Sequence, residues 1–464
     1  MAALREIDGP RDKAVILGVQ LQGVSDESFE GSLKELSRLA ETLGLEVVGR
    51  VTQRRTVLLN ASVVGAGKLK ELAKHTGGTG VIPVYAPPGK EKDEDPAEPE
   101  PDPSDDEDDS DSKSTQPVRS KAKLVLVDHD LTPAQTRNLE KATGAEVLDR
   151  SMVILSIFQR HARTREARMQ VEIAQLAYMA PRLREVGAGQ DRQRGGIGGK
   201  GAGETALEMD RRKVRDRIAE LRKELEVVRR EADTRRARRL GPETNTVALV
   251  GYTNAGKSSL MRALTGDEVY VADQLFATLD TTVRALKPET RPRILVSDTV
   301  GFIKKLPHDL VASFRSTLEE AKDAALLLHV VDAADPAFRE QLEVTSAVLA
   351  EIDASKNPTL LVLNKADKLD VEARSTLALE FPGALIMSSR NPEDIRALHT
   401  LIVQRFEDAM EETEIFVPYS KQRNVALLHE RTRVLDERYD ENGATVRVRA
   451  PASVLSALRS ELDT

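Results

Sequence analysis

The string Gly251-Tyr252-Thr253-Asn254-Ala255-Gly256-Lys257-Ser258 constrains this chain more than any other part of it. A short apolar run, Thr246 to Val250, leads into it and a helical pattern leads out. Glycine lets the main chain turn tightly enough for successive N–H groups to face one point, and the unpaired N–H groups of the following helix face the same point. Such a loop cradles phosphate. Lys257 is placed to neutralise β and γ oxygens, and the Ser258 hydroxyl to ligate Mg²⁺. The fold expected around it is α/β, with a strand before the loop and a helix after.

Two further motifs follow in order, each at the end of an apolar run. Asp298-Thr299-Val300-Gly301 comes after Ile294 to Val296 and offers a carboxylate for a magnesium-bound water, with the Gly301 amide free to sense a γ-phosphate. Asn364-Lys365-Ala366-Asp367 ends the run Thr359 to Leu363. A carboxylate at Asp367 accepts from two guanine donors, N1–H and the 2-amino group, whereas adenine presents an acceptor at the first position and nothing at the second. GTP is therefore selected over ATP. Between these motifs, Phe276-Ala277-Thr278-Leu279-Asp280-Thr281-Thr282 occupies the place of a switch segment, with Thr282 chosen to complete magnesium coordination and Thr281 as the alternative. Ser388 and Ser389, after the strand Ala384 to Met387, are expected to reach the guanine rim through backbone amides, with Arg390 beside them.

The candidate site is thus Lys257, Thr282 and Gly301 for catalysis, and Ser258, Thr282 and, through water, Asp298 for Mg²⁺. Nucleotide contacts are expected from residues 251 to 258 with Ser259, from Phe276, Ala277, Thr278 and Leu279, from Asp298 to Gly301, from Asn364 to Asp367, and from Ser388, Ser389 and Arg390. Phe302 follows Gly301 where many GTPases carry a water-orienting glutamine, and a phenyl ring cannot orient water by hydrogen bonding. Slow intrinsic hydrolysis is the expectation.

At 464 residues the chain is long enough for about three domains. Residues 1–155 alternate strands (Lys13 to Val19, Leu45 to Val51, Lys123 to Asp128, Ala145 to Leu148) with helices, which implies a small parallel α/β domain. Its first helix is expected from Ser32, with Glu35 completing a capping box, to Leu43; a second runs from Gly67 to His75; and Thr132-Pro133-Ala134-Gln135 opens a third that Gly144 closes. Gly65-Ala66-Gly67-Lys68 lacks the rest of a phosphate motif and reads as a plain turn. Residues 88–116, rich in Pro, Asp, Glu and Ser, cannot bury enough apolar surface to order themselves and read as a disordered acidic insert.

Residues 156–241 read as an antiparallel helical hairpin with a glycine-rich tip, Gly195 to Gly203. Met169, Ile173, Leu176 and Ala180 on one helix, and Val214, Ile218, Leu221, Leu225, Val228 and Ala232 on the other, recur at four- and three-residue steps. The GTPase domain spans 242–410, and a small α+β domain, 411–464, is expected to run βαββα with an Asn442-Gly443 hairpin turn.

Net charge is −8, which by itself argues against nucleic acid, yet thirteen acidic residues and two lysines between Gly89 and Ser112 leave +3 on the remainder. The stretch 160–239 carries +9, with arginines clustered at 235, 236, 238 and 239, which favours phosphate contact over a merely solvated helix face. Aromatics are 3% with no Trp, so base-stacking platforms are not expected. No cysteine is present, which excludes disulfides, thiolate metal sites and a cysteine nucleophile. No apolar stretch approaches a membrane span, and the first 20 residues lack a signal-peptide layout; a cytoplasmic monomer is expected.

Leu131-Thr132-Pro133-Ala134-Gln135, Asp149-Arg150, Gln170-Val171-Glu172, Pro181-Arg182-Leu183, Gly203-Glu204, Asp210-Arg211-Arg212 and Phe276 to Thr282, with the ordered guanine-nucleotide motifs, resemble the HflX family of ribosome-associated GTPases, in the translation-factor class. The resemblance covers the chain from about residue 13 to its end. It implies an N-terminal nucleotide-binding-like domain, a helical hairpin, a GTPase domain and a small C-terminal domain, acting on the large ribosomal subunit and its rRNA. It further implies splitting of stalled or idle ribosomes, with the arm reaching toward the peptidyl-transferase region, and in some members ATP binding by the N-terminal domain. Two strings depart from the family. Gly-Pro-Gly-Glu-Thr-Gln is Gly201-Ala202-Gly203-Glu204-Thr205-Ala206, and Asp-Pro-Thr is Asp280-Thr281-Thr282. The competing reading is a GTP-gated regulatory binding protein with incidental turnover and no role at the ribosome.

Overall fold

The computed structural model describes residues 11–59, 61–82, 121–187, 206–239, 245–266, 275–276, 281–304, 320–421 and 423–463. The acidic insert, the glycine-rich tip and residues 277–280 of the switch segment lie outside them. The chain forms two compact units, residues 1–160 with 175–216, and residues 161–174 with 217–464.

In the first unit, β1 (Lys13–Leu21), β2 (Glu46–Arg55), β3 (Leu124–Val127) and β4 (Glu146–Asp149) form a parallel sheet in the order β2-β1-β3-β4. Four helices, α1 (Asp26–Thr42), α2 (Ala66–Thr76), α3 (Pro133–Thr143) and α4 (Arg150–His161), connect and follow the strands. β1 and β3 read as near-continuous apolar runs because helices cover both faces of such a sheet. Thr132 and Gln135 form a reciprocal capping box on α3, and Gly144, at φ 65°, closes it.

Helix α1 is capped seven residues, about two turns, before the Ser32 that its Ser32/Glu35 pattern predicts. Ser25 is the cap, its hydroxyl accepting from the Ser28 amide, with Asp26 and Glu27 favourable in the first turn. Ser32 and Glu35 serve tertiary structure instead. The Ser32 hydroxyl donates to Asp128 Oδ2 at 2.6 Å, while Arg150, 1% exposed, donates to Asp128 Oδ1 at 2.7 Å and to Glu35. The neighbouring Asp149 turns to other partners: the amides of Leu131 (3.2 Å) and Met152 (2.9 Å), the Tyr178 hydroxyl and, at 2.8 Å, the Arg182 guanidinium. Burial raises the Asp149 pKa, and burial with the Asp149 charge raises that of Tyr178, so the phenol keeps its proton.

Helices α5 (Arg165–Gly187) and α6 (Ala206–Arg239) are each divided between the two units. In the second unit they run antiparallel, with Arg165 paired to Glu224, Arg229 to Glu166 and Arg217 to Glu172 around buried Met169, Ile173, Leu221 and Leu225.

The second unit also holds β5 (Asn245–Gly251), α7 (Lys257–Thr265), β6 (Thr282–Ala285), β7 (Ile294–Asp298), β8 (Leu326–Asp332), α8 (Phe338–Glu351), β9 (Thr359–Asn364), α9 (Val371–Glu380), β10 (Leu385–Ile386) and α10 (Pro392–Glu407). Its sheet has the order β10-β9-β8-β5-β7-β6, parallel except for β6. The order reverses at β5, and ligands of such sheets bind beyond the strand ends at that reversal.

The chain ends in β11 (Glu411–Pro418), α11 (Arg423–Arg431), β12 (Arg433–Tyr439), β13 (Gly443–Ala450) and α12 (Ala452–Asp463), with antiparallel order β11-β13-β12. The expected Asn442-Gly443 turn is shifted by one residue. Asp440 pairs with Gly443, and the Asp440 carboxylate accepts from the amides of Asn442 and Gly443 at 2.7 and 2.9 Å. Gly443 is needed for space: a Cβ there would lie 2.4 Å from the Val417 carbonyl oxygen.

Arg150→Ala removes the cation paired with buried Asp128 and half-buried Glu35 and should cost the first unit about 3–5 kcal/mol. Thermal melting of the full chain checks this, and a shift smaller than about one degree would remove the triad from the stability of the unit.

Candidate active site

The site is built where β5 ends. Gly251 adopts φ 150°, and a Cβ on it would sit 2.1 Å from the Val330 carbonyl oxygen of β8, so only glycine fits this passage. Gly256, at φ 97°, precedes α7 without any side-chain cap, and a Cβ there would meet Asn364 Nδ2 at 2.3 Å. The first N–H groups of α7 remain available to an anion.

Lys257 folds back under this loop. Its ammonium, on a side chain only 6% exposed, donates to the carbonyls of Gly251 (2.9 Å) and Tyr252 (2.8 Å). Burial lowers its pKa to about 8 while Asp298 opposes the shift. His329, buried in β8, is lowered to about 4 by burial and by the charge of Lys257, which keeps it neutral.

Two of the expected metal-binding oxygens meet here, and the third residue stands in register with them. The Ser258 hydroxyl donates to Asp298 Oδ2 at 2.8 Å, and Thr282 opens β6 directly opposite Asp298 in the antiparallel register. The Thr299 hydroxyl donates to the Leu249 carbonyl at 2.7 Å and fixes the exit of β7. Two hydroxyls and one buried carboxylate are hard oxygen donors that suit Mg²⁺, which keeps waters and takes substrate phosphate as its other ligands. No cluster of three His, Asp or Glu side chains fit to hold a metal unaided occurs among the described residues.

A second group of residues, expected to contact the base, gathers at the end of β9. Asn364, fully buried, donates to the Ala255 carbonyl at 2.9 Å and accepts from the Ser389 amide at 3.0 Å. Lys365, at φ 62°, donates to the Asn254 carbonyl (2.8 Å) and to Asp332 Oδ2 (2.7 Å). Ala366 is held by its amide to the Met387 carbonyl, 3.0 Å, and by its own carbonyl to Arg374. Asp367 is exposed and accepts from the Ser388 hydroxyl at 2.6 Å; that bond is the main reason its pKa lies below the usual carboxylate range. The Ser388 amide is engaged by Asp394 Oδ2 at 2.7 Å, and the Arg390 amide by the Ser388 hydroxyl at 3.2 Å.

Thus the expected residues of the phosphate loop, of the Asp298 segment and of the Asn364 loop are brought to one edge of the sheet. Phe276 is buried at φ 57°; Ala277, Thr278 and Leu279 lie outside the described residues. Asp332, Arg374 and Asp394 were not expected at the site. Their residue types carry no motif, and only strand register and loop closure bring them to it.

The Lys257 environment has a measurable consequence. If phosphate binds the charged ammonium, as the sequence predicts, a pKa of about 8 means that binding near that pH must take up part of a proton. GDP affinity should be flat near pH 7 and fall toward tenfold per unit above about pH 8, with about half a proton taken up at that pH. Calorimetry in buffers of different ionisation enthalpy reads the uptake; none at pH 8 would contradict a buried, depressed lysine.

Three family profiles match the chain: a GTP-binding GTPase N-terminal region over residues 30–83 and 113–159, a GTP-binding GTPase middle region over 161–239, and a 50S ribosome-binding GTPase over 246–365. GTPase HflX of Gluconacetobacter diazotrophicus is 53% identical over 457 residues, 98% of this chain and 99% of that one. GTPase HflX of Escherichia coli is 37% identical over 436 residues, 93% and 92% of the two chains. Among solved structures, a GTP-binding protein of Sulfolobus solfataricus in complex with GDP aligns at 23% identity with a TM-score of 0.41, covering 84% of this chain and 99% of that one. With relatives this similar along their whole length and a guanine-nucleotide site assembled in order, the chain belongs to the HflX family of GTPases and hydrolyses GTP.

Proposed function

We propose that this GTPase binds the large ribosomal subunit through its basic helical hairpin, that GTP and GDP set the affinity, and that the cycle splits stalled or idle ribosomes. The observation that carries this reading is α6. Along that helix Arg212, Lys213, Arg215, Arg222, Lys223 and Arg230 are exposed, and the helix ends six residues before β5 of the GTPase sheet. A row of exposed cations suits a phosphate backbone and supplies affinity without sequence readout. The match to a 50S ribosome-binding profile and the identity to HflX GTPases support the same partner.

In the proposed cycle the amides of Asn254 and of Gly256 to Ser258, with the Lys257 ammonium, hold the phosphates, and Gly301 offers its amide to the γ-phosphate. Ser258 and Thr282, with Asp298 through water, would hold Mg²⁺, which when bound neutralises charge on the β and γ oxygens. Asp367 selects guanine, its carboxylate kept charged and aimed by the Ser388 hydroxyl. The Phe302 ring is buried, so position 302 offers no group to orient the attacking water. Under this reading that group arrives with the ribosome.

Asp367→Asn should weaken GTP and relax selectivity toward xanthosine nucleotides, whose 2-oxo group wants a donor. Titration with both nucleotides measures it, and unchanged discrimination would remove Asp367 from base recognition. For the partner, co-sedimentation with large subunits under a non-hydrolysable GTP analogue, GDP and no nucleotide is the direct test. Replacing Arg215 and Arg222 by Ala should flatten the log–log salt slope, on the duplex-DNA scale by roughly 0.9 for each phosphate no longer neutralised, with GTP turnover off the ribosome unchanged. Binding of equal strength in all three nucleotide states and an unaltered slope would favour a regulatory protein that does not act on ribosomes.

A further inference from the structure

The phosphate loop carries an aromatic residue that phosphate binding does not require. Backbone amides and Lys257 suffice for that task, whereas Tyr252, 5% exposed, turns its side chain away from solvent. Its hydroxyl accepts from the Lys304 amide at 2.7 Å.

The surrounding backbone gives this bond its meaning. β5 and β7 pair in parallel as far as Leu249 and Asp298, and the pairing resumes as a bridge between Tyr252 and Phe302. Two residues on the first strand, Val250 and Gly251, thus face three on the second, so Thr299, Val300 and Gly301 bulge. Gly301 lies in that bulge, where a Cβ would come within 2.9 Å of Thr253 and 3.0 Å of Lys257 Nζ. Beyond the bulge three hydrogen bonds fasten the chain to the loop: the Phe302 amide to the Gly251 carbonyl (3.1 Å), the Thr253 amide to the Phe302 carbonyl (2.8 Å), and the Lys304 amide to Tyr252. Any residue at 252 would permit the first two. Only a side chain with an acceptor at that reach makes the third.

We propose that Tyr252 is a positioning residue for γ-phosphate recognition: its hydroxyl latches residues 302–304 to the phosphate loop and so holds the Gly301 amide beside Lys257 before nucleotide arrives. GTP then binds without ordering that segment. GDP has no γ-phosphate to meet it and is indifferent to the latch. This rests on the GTP site and not on the ribosome reading, so it is tested without ribosomes.

Tyr252→Phe keeps the ring and removes the hydroxyl. One net hydrogen bond corresponds to about a five- to tenfold change in an equilibrium, so affinity for an imido-bridged GTP analogue should fall by that factor while GDP affinity stays within about twofold. Hydrogen exchange of the Lys304 amide, read in the nucleotide-free full chain, should quicken in the variant. Tyr252→Trp, which fills the space but only donates, should repeat both effects. Equal losses for GDP and the analogue would mean a general role in loop integrity and would overturn the proposal. So would unchanged affinities, or a Lys304 amide that exchanges as fast in the parent as in either variant. If neither variant folds, the parent's exchange rate decides, since an unprotected Lys304 amide is incompatible with the latch.

Discussion

A buried ammonium governs how this site is built. Lys257 is surrounded by protein, and a cation so placed must be solvated by dipoles that replace water. The carbonyls of Gly251 and Tyr252 do this, and Gly251, at φ 150°, turns the chain out of β5 into the loop that presents them. That conformation runs the loop against the β8 backbone, with no room for a Cβ. β8 lies beside β5 because the strand order reverses there, so topology, glycine and lysine form one connected requirement. Neutral His329 adds no second charge under the loop, and the Asp298 carboxylate favours the charged form of Lys257 against its burial.

Much of this was legible in the sequence because phosphate, magnesium and guanine chemistry demand particular residue types at the ends of buried strands. The apolar runs before Gly251, Asp298 and Asn364 are all strands of one sheet. What escaped sequence reading was partnership. The Ser32-x-x-Glu35 string has the composition of a capping box, yet both side chains belong to a buried cluster with Asp128 and Arg150, and the helix starts at Ser25 instead. Propensity cannot weigh a local cap against an ion pair 115 residues away in sequence. The turn before Gly443 slipped for a similar reason, since the Asp440 carboxylate closes it and no positive φ is needed. Asp332, Arg374 and Asp394 carry ordinary residue types, and their contacts exist only once register is set.

The strings that mark the family in the first unit also have physical content. Asp149 and Arg150 adjoin in sequence at the passage from β4 to α4 but serve different neighbours. Arg150 enters the interior to meet Asp128 and Glu35, whereas Asp149 gathers two amides, the Tyr178 hydroxyl and Arg182 from the C-terminal half of α5. The Arg182 guanidinium also lies over the Tyr178 ring, 3.5 Å from its centroid, and donates to the Leu131 carbonyl at 2.9 Å. Pro181 sits within that helix next to the arginine, and a proline frees a carbonyl one turn earlier, at Ala177, from its helical partner. A buried carboxylate with four donors is costly to disturb because each donor would be left unsatisfied in turn.

Phe302 shows how one residue can be committed before catalysis is considered. Its ring is 2% exposed and its amide and carbonyl are both used to rejoin the loop after the bulge at Gly301. A side chain at this position that reached toward the γ-phosphate would have to leave the interior, and burying a phenyl ring is worth about 2–3 kcal/mol, comparable with two or three net hydrogen bonds. The same packing that closes the chain beyond Gly301 therefore denies position 302 a role in moving water. Under the proposed reading, recognition of GTP and acceleration of its hydrolysis are thus separated: the first is assembled within the chain, and position 302 supplies no side chain for the second.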